Sequence, residues 1–378
     1  MLKKIALRAL TIVLRGRARL AKRAADIVIL HDAGYDLIKK ILPEDKTIQR
    51  LPLQGEFILI NISILLKWLR DRKKHENDTV AYALAAIHYI KPVLVISFAD
   101  ESEIIPRLVG NCGSTRFLSI QNGTRNLHRD NNTDNQPVKH DNFACFGESV
   151  VDQYTSHGAT VSKYYPMGSL RRAVFVDQSV DSVKRSKVFD LCLVSEVDER
   201  LEIRWPEIFV AVEKLTSFFA RYCRETGAKY CIAARNSPGA SAKEYRYEEE
   251  YFREMFGPEA NLIPNEPGSF NSYALADSSR VSVSVFSTLC YENFGCGNRT
   301  LFCNFTGQAD YDVPQQGLWS LRDCDFTAFS NRLNVLRSIP EVEYSAISGS
   351  AASYFMKTND ISSWRKLIKR LLGDGAPS

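Results

Sequence analysis

Arg280 to Asn304 reads RVSVSVFSTLCYENFGCGNRTLFCN. Val281, Val283 and Val285 alternate with Ser282 and Ser284, and this period of two predicts a strand. Ser287 and Thr288 follow at once, and either side chain suits a helix N-cap. Leu289 to Cys296 then reads as a short helix, with Gly297 placed to end it. Thr300 to Asn304 is a second buried strand, so the stretch is one β-α-β unit of a parallel sheet. Ligands of such sheets sit at the carboxyl ends of strands, beside helix N-termini. Ser287 and Thr288 are expected there, at the ligand site. Glu292 lies four residues beyond Thr288 and can share its face. Its spacing does not fit a capping box with either hydroxyl, which leaves its carboxylate for a ligand or for a nearby arginine such as Arg299.

The rest of the chain repeats this alternation. Asp26–Leu30, Val93–Ser97, Arg116–Ile120 and Phe143–Phe146 read as buried strands. Tyr35–Leu42, Asn61–Arg70, Thr79–Ile90 and Val150–His157 read as helices between them. Asp32, Asp100 and the group Gln121-Asn122-Gly123 then end three strands of one sheet. Strand ends of a doubly wound sheet face one crevice, so these residues are expected to line a cleft, with Gly123 admitting a close backbone approach. Taken singly, each also fits a helix cap or a turn. Arg129–Asn142 is polar and aperiodic, and is expected to be a loop at the crevice mouth. In the second half Val188–Val194 and Lys229–Ala233 read as strands. Pro206–Thr226 reads as a long helix closed by Gly227, and Lys243–Phe256, Phe270–Ala276 and Ser362–Leu372 as further helices. Arg235, with Asn236 beside it, ends a strand, and a guanidinium there suits a phosphate as well as a surface ion pair.

A length of 378 residues suggests about two domains. The boundaries expected are a basic N-terminal helix over 1–25, a first domain over 26–176, a polar linker over 177–187 and a second domain over 188–378. With 45% hydrophobic and 25% charged residues the chain is ordinary globular protein. The nine cysteines are scattered without a C-x-x-C pair, which indicates neither a zinc site nor a disulfide framework and fits a reducing cytoplasm. A net charge of +5 does not by itself imply nucleic acid. Residues 1–25 hold no acid. Leu2, Ile5, Ala6, Ala9, Val13 and Leu20 fall on one side of a helical wheel. Lys4, Arg8, Arg15, Arg19 and Lys22 fall on the other, with Arg17 intruding on the apolar side. The pattern suits a helix lying on an anionic membrane or packed on the protein. The chain lacks G-x-x-x-x-G-K-[ST], G-x-G-x-x-G and G-x-S-x-G, which argues against a P-loop ATPase, a dinucleotide enzyme with the usual fingerprint and an α/β-hydrolase.

Four segments carry a family resemblance: DIVILHDAG from Asp26, SIQNGTR from Ser119, CFGESVVDQYTSHG from Cys145 with YPMGSLR from Tyr165, and STLCYENFGCGNRTLFCN from Ser287. Together they resemble bacterial surface-carbohydrate biosynthesis proteins of lipopolysaccharide and O-antigen clusters, over about residues 25 to 372. The resemblance implies an α/β fold of GT-B type, with two Rossmann-like doubly wound domains facing a cleft. A nucleotide-activated sugar would lie on the second domain and a glycan or lipid-linked acceptor on the first. It further implies a metal-independent glycosyltransferase with no cofactor beyond its substrate, working in the cytoplasm or on the inner face of the membrane. An inverting transfer needs a base, for which Asp32 and Asp100 are the candidates. The leaving diphosphate needs positive groups or helix N-termini, for which Arg235 and the helix opening at Thr288 are the candidates. A polyol-phosphate transferase and a catalytically inactive scaffold of polysaccharide assembly are the competing readings.

Overall fold

The structure, a computed structural model, describes residues 18–53, 57–75, 77–125, 138–179, 186–266 and 268–374. Its strands in chain order are β1 (Ala18–Leu20), β2 (Ile27–Leu30), β3 (Ile48–Leu51), β4 (Ile58–Ile60), β5 (Leu94–Ser97), β6 (Arg116–Ile120) and β7 (Lys139–Cys145). They continue with β8 (Thr160–Pro166), β9 (Phe189–Val194), β10 (Tyr230–Ala233), β11 (Leu262–Ile263), β12 (Ser279–Ser284), β13 (Arg299–Cys303) and β14 (Ser320–Leu321). Among the described residues, β3-β2-β5-β6-β7-β8 form one six-stranded sheet and β11-β10-β9-β12-β13-β14 another. All the pairings in both are parallel. Strand order reverses between β2 and β5 in the first sheet and between β9 and β12 in the second. Such reversals open a crevice at the carboxyl ends of the strands.

Both faces of each sheet are covered, as parallel sheets require, and the inner strand β2 (IVIL) reads as an unbroken apolar run. In the first domain the two-residue period separates the faces. Val28, Leu30 and Val95 pack with Ile87, Ile90 and Ile105 of the helices on one side. Ile27, Ile29 and Ile96 pack on the other side with Trp364, Ile368 and Leu371 of the last helix. In the second domain the helix Pro206–Thr226 buries Leu215, Phe219 and Tyr222 in the core shared by β9, β12 and β13, with the Phe219 ring 6.0 Å from that of Tyr230 on β10. Pro206 occupies its first turn and Gly227 ends it at φ 65°, the usual pairing of a preset φ at the start with a left-handed glycine at the end.

Three readings of the domain limits change. The C-terminal helix, Ile361–Leu372, belongs to the first sheet and not to the second domain, because its apolar face (Trp364, Ile368, Leu371) completes the first core. To reach it, the chain crosses between domains at Met356–Lys357. Residues 18–20 of the basic leader are not helical. They form β1, which pairs with β4, and Arg19 lies 4.1 Å from the Phe57 ring. Residues 1–17 lie outside the described residues, as do 126–137 of the polar loop and 180–185 of the linker. The rest of that loop, from Lys139, is strand β7, and the helix Leu170–Gln178 runs into the linker's first residues.

Candidate functional site

A cleft of about 870 Å³ separates the two sheets and is walled by both domains. It lies where the crossover topology predicts a ligand. From the first domain, Gln121, Gly123 and Thr124 follow β6 and Phe146 follows β7. From the second, Ser195 and Glu196 follow β9, Arg235 follows β10, and Phe286, Ser287 and Thr288 follow β12. Asp152 and Gln153 come from the helix Glu148–Ser156, and Tyr354 and Phe355 from the end of the helix Glu341–Phe355.

Of the residues singled out in the sequence, Gln121, Gly123, Arg235, Ser287 and Thr288 meet on this cleft. Gln121 is buried and holds the floor in shape. Its Oε1 accepts the Phe146 N–H at 2.9 Å and its Nε2 donates to the Gly123 carbonyl at 2.9 Å. Thr288 Oγ1 accepts the Thr124 N–H at 2.9 Å and lies 3.2 Å from the Thr124 hydroxyl, so the helix opening at Thr288 is tied to the first domain. A Cβ on Gly123 would sit 3.2 Å from Arg125 Nη1 and in ordinary contact, at 3.6 Å, with that Thr288 oxygen. Arg235 is half-exposed, with a loose 3.4 Å contact to Asp198.

Asp32, Asp100, Asn122, Asn236 and Glu292 do not line this cleft. Asp100 is buried in a two-point pair with Arg125, whose Nε and Nη2 donate to it at 3.1 and 2.6 Å, and it also accepts the Asn122 N–H at 3.1 Å. The carboxylate is thus committed to holding Arg125 against the cleft wall. Asn122 donates its side-chain amide to the Phe98 carbonyl at 2.7 Å. Asp32 pairs with Arg50 at the far edge of the first sheet, while its second oxygen is buried without a partner. His31 beside it has a left-handed φ of 67°. Asn236 is bound through its N–H and side chain by the buried Glu248.

Glu292 lies one helical turn, about 5.4 Å, beyond Thr288, deep enough to meet the neighbouring helices in place of the cleft. It accepts the hydroxyls of Ser169 and Tyr273 beside Arg171 and Arg172, and burial pushes its carboxyl upward against those partners. Arg172 in turn forms a two-point pair with Asp277 at 2.9 and 3.0 Å. Ser169 and Arg172 belong to the connection between the domains, so this cluster braces the second domain against it.

The residue that sequence reasoning passed over is Glu196. It sits at the strand-order reversal, on the cleft wall, and receives the Val285 N–H at 2.6 Å and the Phe286 N–H at 3.0 Å. Burial pushes its carboxyl from the ordinary 4.5 to about 7, against the pull of those two N–H groups and of Arg235. The strand-end rule that selected Asp32 applies equally to Ser195-Glu196 after β9 and could have found it. Arg125, Asp152 and Tyr354 were also passed over. Tyr354 donates to Asp152 Oδ2 at 2.7 Å across the crossing segment, a contact between residues 202 apart in the chain that no local pattern announces. Among the described residues, no group of three or more His, Cys, Asp or Glu side chains is arranged to hold a metal ion.

Comparison with known proteins agrees with this architecture. The fold is similar to that of S. aureus MnaA solved with UDP, at 12% identity and a TM-score of 0.57, covering 96% of this chain and 99% of that one. It is similar also to the UDP-GlcNAc 2-epimerase of Neisseria meningitidis bound to UDP-GlcNAc, at 11% identity and a TM-score of 0.53, covering 95% and 100%. At these identities the likeness is one of fold, the GT-B arrangement of two Rossmann-like domains about a cleft. A search of the curated proteins gave no significant match. A family model described as "putative O-antigen biosynthesis protein" matches residues 118–362, from the middle of β6 through the whole second sheet to the start of the last helix. That match spans well over half of the chain, and the protein therefore belongs to this O-antigen biosynthesis family.

Proposed function

We propose that the protein is a metal-independent glycosyltransferase that moves a sugar from a nucleotide-activated donor in the cleft to a growing surface glycan of O-antigen type. The observation that supports this most is the meeting of Arg235 and the N-terminus of the helix Thr288–Gly295 on one cleft. A diphosphate leaving group gathers negative charge as the glycosidic bond breaks, and preset cations and N–H groups stabilise it. For an inverting transfer, the acceptor hydroxyl oxygen attacks the anomeric carbon and the bond to the diphosphate breaks. The electron pair goes to the phosphate oxygen and the acceptor proton to a base. Asp152 is our choice for that base, since it is the carboxylate on the first-domain wall of the cleft. A lipid-linked acceptor would bring the first domain to the inner face of the cytoplasmic membrane, with the basic leader as one contact. Nucleotide-sugar epimerisation is a second reading, favoured by the UDP-GlcNAc held in the related epimerase fold.

The test is a thermal-shift screen with UDP-, GDP-, dTDP- and CMP-sugars and a CDP-polyol, followed by turnover with and without acceptor. A ligand at 100 times its dissociation constant adds about 2.7 kcal/mol of stability. Arg235→Gln should weaken the donor that binds by about 1.5–3 kcal/mol, the scale of a hydrogen bond to a charged group. Consumption of donor only with acceptor supports the transferase. Appearance of an epimer without acceptor supports the second reading, and binding without turnover supports a scaffold.

A further inference from the structure

The helix Ile62–Asp71 is apolar on two faces. Ile64 is fully buried, and Trp68 packs beside it on the first-domain core. On the outward face Ile62 is 74% exposed, Leu66 63% and Leu69 40%. Their i, i+4, i+7 spacing makes one continuous stripe. Leu20, 83% exposed, is on the neighbouring strand β1, and its register partner Ile60 lies two residues before Ile62. A helix with apolar residues on both sides normally has both sides covered, and a contiguous exposed apolar patch marks an interaction surface.

The border of the stripe says what covers it. Lys67, Arg70, Arg72, Lys73 and Lys74 lie on the helix and the turn after it, and Arg19, Lys22 and Arg23 lie on and just after β1. Asp71, the one acid between residues 57 and 75, is held by Lys67 at 3.4 Å, Arg70 at 3.1 Å and Lys74 at 2.9 Å. An aliphatic stripe within a basic border matches acyl chains beneath anionic headgroups. It does not match a second copy of the chain, because a two-fold contact through this face would set one basic border against another.

We propose that the outward face of the helix Ile62–Asp71, with Leu20, is a membrane-docking surface for anionic bilayers, separate from residues 1–17. It presents the first domain, on the acceptor side of the cleft, to the lipid surface. The experiment is sedimentation of the full chain with vesicles of phosphatidylcholine alone or with phosphatidylglycerol, for the wild type and for I62S/L66S/L69S. The wild type should pellet with the anionic vesicles. The triple variant should bind them at least about tenfold more weakly, a conservative figure for three large aliphatic side chains lost from an apolar phase, with an unchanged melting temperature. The charge variant R70Q/R72Q/K73Q/K74Q should lose affinity too, and its binding should depend less steeply on salt than that of the wild type. A folded triple variant that binds like the wild type overturns the proposal. So does a wild type that stays in the supernatant with both vesicles, or a dimer that the triple variant dissociates without any change in vesicle binding. If the triple variant does not fold, the charge variant decides, and wild-type binding by it overturns the proposal. Neither donor nor acceptor enters the assay, so its failure leaves the transferase reading standing.

Discussion

Raising the pH from 5 to 8 should cost the wild-type protein stability through one side chain, Glu196. Its carboxyl titrates near 7 in the folded chain and near 4.5 when free. The folded state therefore holds a proton that the unfolded state has given up, across the window between those values. Stability from a raised carboxyl is fully present below the lower value and is lost as pH rises through the higher one. Integrating the linkage between pH 5 and pH 8 gives a loss on the order of 2–3 kcal/mol. Glu196→Gln abolishes the titration while keeping the shape, although its amide nitrogen must then face one of the two N–H groups of Val285 and Phe286. That substitution lowers stability by a fixed amount, about 1–3 kcal/mol for a buried donor left without an acceptor. The pH dependence is the discriminating quantity. Buried His140, which burial holds down to about 4, acts with the opposite sign below neutrality, but it is common to both proteins and cancels in their difference. Urea unfolding at intervals from pH 5 to 8 should show the variant's deficit shrinking by roughly 2–3 kcal/mol as pH rises. Parallel profiles, with a constant offset across that range, would refute the assignment of this titration to Glu196.

Gly168→Ala should destabilise the fold by about 3 kcal/mol or more, from a left-handed φ and a steric clash. Gly168 has φ +76° and an added Cβ would stand 1.8 Å from the Lys357 carbonyl oxygen, so the melting temperature should fall clearly. Glu292→Gln should lower stability and leave donor affinity unchanged, because its partners are Ser169 and Tyr273; a calorimetric loss of donor binding in a variant that melts normally would return Glu292 to the donor site. Thr288→Val should lower stability by about 1 kcal/mol, the net worth of a hydrogen bond, and free the Thr124 N–H for a phosphate oxygen. Donor affinity should hold or rise, and a tenfold fall would show instead that the Thr288 hydroxyl is itself a donor ligand.

How far the sequence reaches can be judged element by element. The strand Ile27–Leu30 and the helix Pro206–Thr226 are legible because an interior strand of a parallel sheet is buried on both faces and because a proline and a glycine mark the ends of that helix. The edge strands β3 and β8 are not. Ile48–Leu51 alternates, and Thr160–Pro166 leaves most of its residues at least partly exposed, so neither shows an apolar run. The helix Glu341–Phe355 is hidden for another reason. It buries Ser348, Ala351 and Ala352, and small residues chosen for close approach produce no apolar stripe. The strand-end rule brings Gln121, Gly123, Arg235, Ser287 and Thr288 to one cleft, but it cannot tell a carboxylate that faces the cleft from one consumed by a neighbour. Asp100 is consumed by Arg125, and that pairing depends on two segments 25 residues apart.

Among the described residues the two domains are held at the cleft floor, behind it and at the crossing segment, as well as by the Tyr354–Asp152 hydrogen bond, and the arrangement bears on which walls can move. At the cleft floor Thr124 meets Thr288. Behind it, Arg172 of the helix Leu170–Gln178 pairs with Asp277, and Ser169 before that helix donates to Glu292. Between the domains, the crossing segment at Lys357 donates to the Phe146 carbonyl at 2.8 Å and lies over Gly147, Gly168 and Gly295, each of which would collide with it if it carried a Cβ. The second and third contacts are buried and sterically exact, and opening there would break charge pairs or expose packed backbone. The floor contact is a pair of hydroxyls and one N–H at the edge of solvent-accessible space, the weakest of the three on the scale of neutral hydrogen bonds. Separation of the walls should therefore begin at Thr124–Thr288 and hinge about the glycine-lined crossing. On the transferase reading proposed above, a donor phosphate entering beside the helix N-terminus would replace that contact with one of its own, and occupation of the site would then be coupled to the width of the cleft.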